Sequence, residues 1–428
     1  SYPVKLHEID KKDAEIKTLN EASALWTRPA KDIKEEQYQE FFSHIGAGFG
    51  KPLLTMHNNT EGTISYTNLI CIPSTRPFDL FNPDRKSSLK LYINRVFITD
   101  KCDALIPSYL RFIKGLVDTQ DIDLNVSREM LQNNPAVAKI SKSLVGKILR
   151  ELKKVSEKNA DGYKSFWKEY GAVLKEGLYE DAERKEALLD LCRFSTNENE
   201  DSISLSGYVE KMPEKQKDIY YISAETKDQA LASPHLEGFK SKKIPVLIMT
   251  DAIDQFWLPM VGSFKEKKFT SITQGQINLD DLDEKNKDKK KDDKNEKEKK
   301  DKEYVDLVAQ LKVVLGAQVK DIRLSSKLTD SPVCLVADEG DMDIAMEQLM
   351  AQRDTNYKGA PRILEINGDH SLIKNMRSLL SKKENNELVS DAGTLLFEQA
   401  RLMEGKMPAD PAQFSKIMNQ FLLKAIPN

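Results

Sequence analysis

The feature that most constrains the fold is a capped, amphipathic helix in the first half of the chain. Asn134 can accept a hydrogen bond from the first helical turn, and Pro135 suits the first helical position, where no N–H donor is needed. Apolar residues then recur at helical spacing, at Val137, Ile140, Leu144, Val145, Ile148, Leu152 and Val155. The pattern predicts a long helix, ending near Lys158, that forms a rigid wall for the segment before it.

A charged turn comes directly before this helix. Ser127 is a good N-cap residue, so we expect Arg128 in a first helical turn, with Gln132 on the same face four residues later. A guanidinium is always charged, and its planar fork matches phosphate oxygens. Because most arginines at helix starts are ordinary surface residues, spacing alone does not assign Arg128 a role.

Composition and charge limit the classes of protein. The 428 residues are enough for two to four domains, and a hydrophobic content of 39% is enough for real cores. The formal net charge is only -3, so no global basic field exists to hold nucleic acid. No apolar run approaches the ~20 residues needed to span a bilayer. We therefore expect a folded, cytoplasmic protein without a membrane partner.

The cysteines, histidines and glycines show no pattern of a metal site or a known catalytic motif. The five histidines have no spacing such as HExxH, and neither a GxSxG nor a Walker motif occurs. The glycines of residues 46–50 predict a flexible turn, because no GK[ST] sequence follows them. We expect no metal in this chain, and reduced core thiols at the widely spaced Cys71, Cys102, Cys192 and Cys334.

Strand patterns predict sheets on both sides of the long helix. A βαβ pattern places a strand at Asp218–Ser223, a helix at Lys227–Ala232 and a buried strand at Lys243–Thr250, which indicates a parallel pair. The remaining predicted strands are Ser65–Ile72, Leu89–Ile98, and the adjacent pair Ile322–Leu328 and Pro332–Ala337.

These patterns predict a multidomain protein of the α+β or α/β class. We expect a large α-β-α subdomain over residues 1–150, a helical connector over 151–195 and a small α/β subdomain over 196–255. A mixed α/β domain over 256–428 would follow and end in a helical hairpin.

Residues 280–302 consist almost entirely of lysine, aspartate and glutamate, with asparagine and one leucine. This composition is typical of a solvated loop or a frayed helix, because the segment has almost nothing to bury. The lysines leave a second hypothesis open, that of a free-standing nucleic-acid-binding or interaction module.

A methionine-rich helix is predicted beyond the charged segment. Met342, Met346, Leu349 and Met350 share one face, and methionine adapts to partners of irregular shape. The face can be simple core or a surface that binds other proteins, and the pattern does not decide between them.

Two apolar helices are predicted at the end of the chain. Leu388, Leu395, Leu396 and Leu402 mark the first. Asp410 can cap the second at Pro411, and its apolar face contains Phe414, Ile417, Met418, Phe421, Leu422 and Ala425. Such a hairpin needs a cover, which is either the domain's own sheet or a second copy in a four-helix bundle.

The segment Leu124–Gln132, read as Leu-Asn-Val-Ser-Arg-Glu-Met-Leu-Gln, resembles the middle-domain catalytic loop of the ninety-kilodalton heat-shock chaperone family. The resemblance runs from Tyr2 to about Leu423 but covers only the family's middle and C-terminal domains. The chain ends in Ala-Ile-Pro-Asn, whereas eukaryotic cytosolic members end in Glu-Glu-Val-Asp. This difference favours the bacterial or an organellar branch of the family. Further matching segments are Leu25–Arg28, Leu91–Asp100, Leu247–Asp254 and Arg362–Asn367.

The resemblance implies an ATP-dependent chaperone active in the heat-shock response. Arg128 would contact the terminal phosphate of ATP held in a preceding domain, with Gln132 assisting. ATP and Mg²⁺ would be cofactors of the full-length protein, while this fragment alone is expected to hold neither and to be inactive as an ATPase. Partly folded client proteins would bind through Trp26, Met342, Met346, Leu349 and Met350.

The resemblance also implies a homodimer built on the C-terminal helices, which favours a second copy as the cover of the hairpin. The expected interface residues are Leu395, Leu402, Phe414, Ile417, Met418, Phe421 and Leu422.

Overall fold

A computed structural model describes most of the chain. The described residues are 5–6, 17–18, 24–46, 51–82, 88–124, 128–198, 201–279, 290–354, 357, 359–381 and 385–426. The description does not extend to the side chains of residues 5–6, 17–18, 88, 128–129 and 290–299. The chain forms two compact units, residues 1–192 and 193–428.

The first unit is a sheet accompanied by helices. Its helices are α1 (Glu35–His44), α2 (Arg128–Gln132), α3 (Pro135–Lys158), α4 (Ala160–Glu180) and α5 (Lys185–Leu191). Its strands are β1 (Lys5–Leu6), β2 (Lys17–Thr18), β3 (Pro52–Thr60), β4 (Tyr66–Pro73), β5 (Ser88–Ile93), β6 (Val96–Thr99) and β7 (Lys114–Thr119). Strands β3 to β7 form one sheet in the order β3-β4-β7-β5-β6, in which only β5 and β7 are parallel. The short strands β1 and β2 pair with each other.

Helix α3 confirms the predicted helix. The Asn134 side chain accepts a hydrogen bond from the Ala136 N–H at 2.8 Å, and Pro135 is the first helical residue. Six of the seven apolar residues of the predicted face are buried, from Val137 to Leu152, and Val155 is half-buried. The Tyr66 hydroxyl donates to Ser143 Oγ at 2.9 Å, so α3 is tied directly to β4 of the sheet.

The prediction of one strand over Leu89–Ile98 is wrong. The segment forms a hairpin of β5 and β6, which turns at Asn94 and Arg95 with φ angles of 51° and 66°. Both residues are in the left-handed region, which asparagine tolerates better than most residues do. The sequence pattern missed the turn because the apolar residues continue on both sides of it without a glycine.

The second unit contains the remaining elements. Its strands are β8 (Arg193–Thr196), β9 (Ile203–Ser204), β10 (Ile219–Ser223), β11 (Leu247–Met249), β12 (Ser263–Phe264), β13 (Lys267–Ser271), β14 (Val319–Leu324), β15 (Val333–Val336) and β16 (Arg362–Ile366). Its helices are α6 (Leu205–Lys211), α7 (Lys227–Leu231), α8 (Glu237–Ser241), α9 (Asp254–Val261), α10 (Lys290–Leu315), α11 (Ile344–Arg353), α12 (Ser371–Leu379), α13 (Asn386–Met403) and α14 (Pro411–Ala425).

The predicted βαβ unit is confirmed. Strands β10 and β11 pair in parallel, with Tyr221 opposite Leu247, and α7 lies between them in sequence. The sheet has the order β12-β13-β10-β11-β8-β9. It includes β12 and β13, which follow residue 255, the predicted end of the small subdomain. The mixed α/β, multidomain class predicted from the sequence is therefore confirmed for the fold.

The predicted pairing of Ile322–Leu328 with Pro332–Ala337 is wrong. The three-stranded sheet has the order β14-β16-β15, so the later strand β16 lies between the two. The residues between them are held by Glu237, whose carboxylate accepts hydrogen bonds from the backbone N–H groups of Thr329, Asp330 and Ser331 at 2.8 to 3.1 Å. Hydrogen bonds to Glu237, more than 90 residues earlier in the sequence, therefore take the place of the hairpin hydrogen bonds that the local sequence pattern predicted.

Helix α10 continues from the charged segment into the core of the second unit. Its buried residues Tyr304, Leu307, Leu311 and Leu315 pack with β14, β15, β16 and α13 in one hydrophobic cluster. Gly316 follows with a φ of 48° and ends the helix. Residues 280–289 of the charged segment lie outside the described residues.

The four cysteines are buried and free, which confirms their interpretation as core thiols. Among the described residues, no helix combines the length and the apolar character needed to cross a bilayer.

Candidate functional site

The connection from β7 to α3 contains the predicted arginine, and its first part is firmly anchored. The Ser65 N–H donates to Asp121 Oδ2 at 2.5 Å, and the Thr119 hydroxyl donates to the Ser65 carbonyl at 2.8 Å. Ile122 is buried directly afterwards. The end of β7 is thereby held against the start of β4, so the connection leaves the sheet at a fixed point.

The second part of the connection is the single turn α2. Arg128 is its first residue, Leu131 is buried, and Gln132 is exposed. Buried Leu131 and the capped start of α3 fix the backbone of α2 from the side of the core. The predicted cap Ser127 lies outside the described residues, and the description of Arg128 covers its backbone.

Trp26 packs against the sheet of the first unit. Its Nε1–H donates to Asp118 Oδ2 at 2.8 Å, and its ring centroid lies 4.9 Å from that of Tyr92. The Trp26 carbonyl lies 3.0 Å from Nε2 of His57. Trp26 is half-buried by these contacts, and its role in client binding stays a prediction.

Helix α11 is pinned at its start. Asp343 Oδ1 accepts from the Ala345 N–H at 2.9 Å, while Oδ2 accepts from the hydroxyls of Ser271 and Thr273 at 2.5 and 3.0 Å. Asp343 therefore caps α11 and also links the start of this helix to the end of β13 by hydrogen bonds.

The two sides of α11 differ in burial. Ile344 and Glu347 are buried, Met350 is exposed, and Met346 and Leu349 are half-buried. Met342 is also exposed but precedes the Asp343 cap, so the predicted helix begins later than the sequence indicated. The methionine-bearing face is therefore not core in the single chain.

A buried ion network holds the inner side of α11. Glu347 and Arg362 pair with side chains only 3% and 4% exposed, and Glu347 Oε1 also accepts from the Ala360 N–H at 2.7 Å. Lys406 Nζ lies 3.4 Å from the same carboxylate. Because two buried charges are compensated only in this arrangement, the network fixes the rotation of α11 about its axis. Sequence analysis missed Glu347, since nothing in its local pattern distinguishes it from a surface acid.

A cleft of about 270 Å³ runs beside the outer face of α11. Its apolar wall comes from α11 and from the carboxyl end of β11, a usual position for binding sites in sheets with parallel strands. The apolar residues that line it are Ala224, Met249, Ala252, Ala345 and Leu349, and the polar ones are Glu225, Thr250, Asp251, Gln255, Gln348 and Gln352.

The predicted dimer residues separate into two groups. On α14, Ile417 is buried and Phe421 packs against the core of its own unit. Phe414 on α14 and Leu395 on α13 are half-buried. The exposed group comprises Leu402, Met418 and Leu422, together with Met403, Leu423 and Ile426, which sequence analysis had not assigned to the interface.

Comparison with known proteins gives the family. The model of the Hsp90 protein family matches residues 3–427 of this chain. The chain belongs to the Hsp90 family. Among curated relatives, the "Chaperone protein HtpG" of Roseobacter denitrificans is 45% identical over 428 residues, which is 100% of this chain and 67% of the relative.

Other Hsp90-family relatives agree. The protein of the same name from Paramagnetospirillum magneticum is 45% identical over 426 residues, covering 100% of this chain and 67% of the relative. That of Wolbachia pipientis wMel is 41% identical over 434 residues, covering 99% and 66%. The chain thus spans about two thirds of the length of these relatives, as expected for the family's middle and C-terminal domains.

Proposed function

We propose that the chain is the middle and C-terminal part of an ATP-dependent chaperone that binds partly folded proteins. The observation that carries the proposal is the two-sided character of α11. Its inner side is fixed by Glu347 and Arg362, while Met350 on the helix and Met342 just before it are open to solvent. The names of the relatives support the same class of function.

The proposed client surface is the outer face of α11 with the cleft beside it. Flexible methionine side chains can repack against apolar segments of different shape, which suits a protein with many partners. Glu225 and Asp251 at the polar side of the cleft add negative charge. We therefore expect preference for apolar segments flanked by basic residues.

The test is suppression of aggregation of a thermally unfolded model client by the chain. Replacing Met346 and Leu349 with serine is expected to reduce suppression severalfold, because both side chains are only half-buried and available to a partner. Met260→Ser, at an exposed methionine of α9 that does not line the cleft, is the matched control and should leave suppression unchanged.

The melting temperature of each variant distinguishes surface from core. A loss of stability of ~2–5 kcal/mol in the double variant would show that the face is core, and equal suppression by it and the parent chain would refute the client site.

The proposed role of Arg128 is to contact the terminal phosphate of ATP in the full-length protein. ATP would supply the phosphoryl group whose transfer to water the full-length protein catalyses. A positioned guanidinium can stabilise the charge that develops on this group. The support is the hydrogen-bonded end of β7 upstream and the capped start of α3 directly after α2. Gln132, which is exposed, is proposed to assist Arg128. Among the described residues, no group of three or more His, Cys, Asp or Glu side chains is placed to hold a metal ion.

The proposed assembly is a homodimer through α13 and α14. The support is the exposed apolar group at the end of the chain, in which Leu422 is 49% and Leu423 77% exposed. Large apolar side chains that stay exposed together mark an interface more often than a solvent surface. A two-fold pairing of two such hairpins covers the same group on both subunits.

A further inference from the structure

The second unit contains a cavity behind α11 that is smaller than the cleft beside this helix. It has a volume of about 60 Å³ and is bordered by β10, β15, the residues around α7 and the end of α13. Much of its wall is apolar, with Ile222, Ala230, Val333 and Met403 among the lining residues. Because one water needs about 10–15 Å³ of such volume, the cavity has room for a ligand of a few heavy atoms.

Three polar side chains on this wall have buried atoms without a hydrogen-bond partner in the described part of the chain. They are Oε1 of Glu404, Nδ1 of His235 and Oγ of Ser223, while Oε2 of Glu404 lies 3.4 Å from Lys406 Nζ. Glu404 and His235 are each more than nine-tenths buried. Leaving such groups unpaired is costly, so a missing donor is expected at this place.

The three side chains offer mainly acceptors. The His235 ring makes a hydrogen bond to the backbone of Leu335, and burial, with the nearby Lys327 charge, lowers the pKa of His235 well below its ordinary value. The ring is therefore neutral, and its unpaired Nδ1 is an acceptor. A carboxylate only accepts, and a hydroxyl does both.

We propose that this cavity binds a small primary alkylammonium ion, whose three N–H donors go to Glu404, His235 and Ser223 and whose short alkyl chain lies on the apolar wall. A water molecule has only two donors, so one water cannot pair with all three groups. A metal ion is disfavoured, since the described residues form no cluster of three suitable ligands. The proposal does not depend on the chaperone function.

The charges around Glu404 set the pH dependence of binding. Burial raises the pKa of Glu404, and Glu347 raises it further, whereas Lys406 and Arg362 lower it. Lys406 Nζ lies 3.4 Å from Glu404 Oε2 as an ion contact and bridges to Glu347. Only the ionised carboxylate attracts an ammonium, so affinity should rise as the pH rises through the elevated pKa of Glu404 and remain high until the amine itself loses its proton.

The experiment is titration of the whole chain with n-propylammonium chloride, followed by calorimetry and by methyl NMR. We expect saturable binding with a dissociation constant on the order of a millimolar, given the few atoms of the ligand. The methyl resonances of Met403 and Val333 should shift, because both residues line the cavity. Tetramethylammonium, which has the charge but no N–H donor, and 1-propanol, which has no charge, should not saturate.

Glu404→Gln keeps the volume and removes the charge, and it should weaken propylammonium binding at least tenfold. Glu387→Gln, at an exposed carboxylate of α13 that does not line this cavity, is the matched control and should bind like the parent chain. No saturable binding by the parent, equal binding by the Glu404 variant, or equal binding of tetramethylammonium would overturn the proposal. The two ammonium probes are compared on the unchanged chain, so the test stands even if a variant folds poorly.

Discussion

The buried pair of Glu347 and Arg362 yields a prediction whose size follows from the structure. Replacing Glu347 with alanine removes the partner of a guanidinium whose side chain is only 4% exposed, together with the acceptor of the Ala360 N–H. Arg362 keeps a hydrogen bond to the Met342 carbonyl at 3.0 Å, but its charge would remain buried without a counter-charge in contact. Breaking a buried pair in this way costs about 3–5 kcal/mol. We expect the second unit to lose stability by that amount.

The assay is unfolding in urea, followed through the fluorescence of Trp257, which is fully buried in the second unit. Since Trp26 and Trp167 report on the first unit, the same measurement is repeated with both changed to phenylalanine. Glu303→Gln is the matched control, because the Glu303 side chain is 57% exposed in its pair and such pairs contribute about 0–1 kcal/mol.

A double variant separates the pair from its surroundings. Glu347→Leu with Arg362→Met removes both charges and keeps most of the volume, so it should recover most of the loss seen in Glu347→Ala. A loss below ~1 kcal/mol in the single variant would refute the reasoning, since it would mean that Arg362 reaches solvent or another acid easily. A double variant less stable than the single one would refute it as well.

Three further predictions concern the ATPase step, the proposed assembly and the charged segment. In the full-length protein, Arg128→Ala should lower ATP turnover at least tenfold with little change in ATP affinity. The control variant Arg150→Ala, on the exposed side of α3, should have no effect. Equal turnover in the two variants would contradict the role of Arg128. Replacing Leu422 and Leu423 with serine should turn a dimer into a folded monomer in sedimentation at micromolar concentration, and a dimer in that variant would contradict the interface. Replacing residues 280–302 with a short Gly/Ser linker should shift the melting temperature by only a few degrees, because the segment is almost without apolar residues; loss of cooperative unfolding would show that it packs.

Sequence reasoning was most reliable where local chemistry and burial agree. The Asn134 cap, Pro135 and the buried stripe of α3 are features of one continuous segment, and the structure has them as predicted. It failed where a distant segment decides the outcome. Strand β16 comes between β14 and β15 in the sheet, although the two outer strands are close neighbours in sequence.

The same distinction applies to the terminal helices. The apolar stripe of α14 was visible in the sequence, but the stripe alone does not say which residues the chain covers itself. Ile417 is 5% exposed in the single chain, so a lysine there would disturb folding as well as any assembly. Leu423 lies outside the predicted stripe. Its exposure becomes visible only from the way in which α14 packs on its own unit.

Helix α11 shows why an apolar face can be predicted from sequence, while the contacts that leave this face exposed cannot. Four apolar residues at helical spacing indicate a face, and methionine indicates adaptability. Whether that face is core depends on what the opposite side contacts. Here the opposite side carries Glu347, an acid that becomes a core residue only because Arg362 and the Ala360 N–H meet it from a segment that follows the helix. Because the ion pair of Glu347 with Arg362 holds that side of α11 in the core, the methionine-bearing side stays exposed.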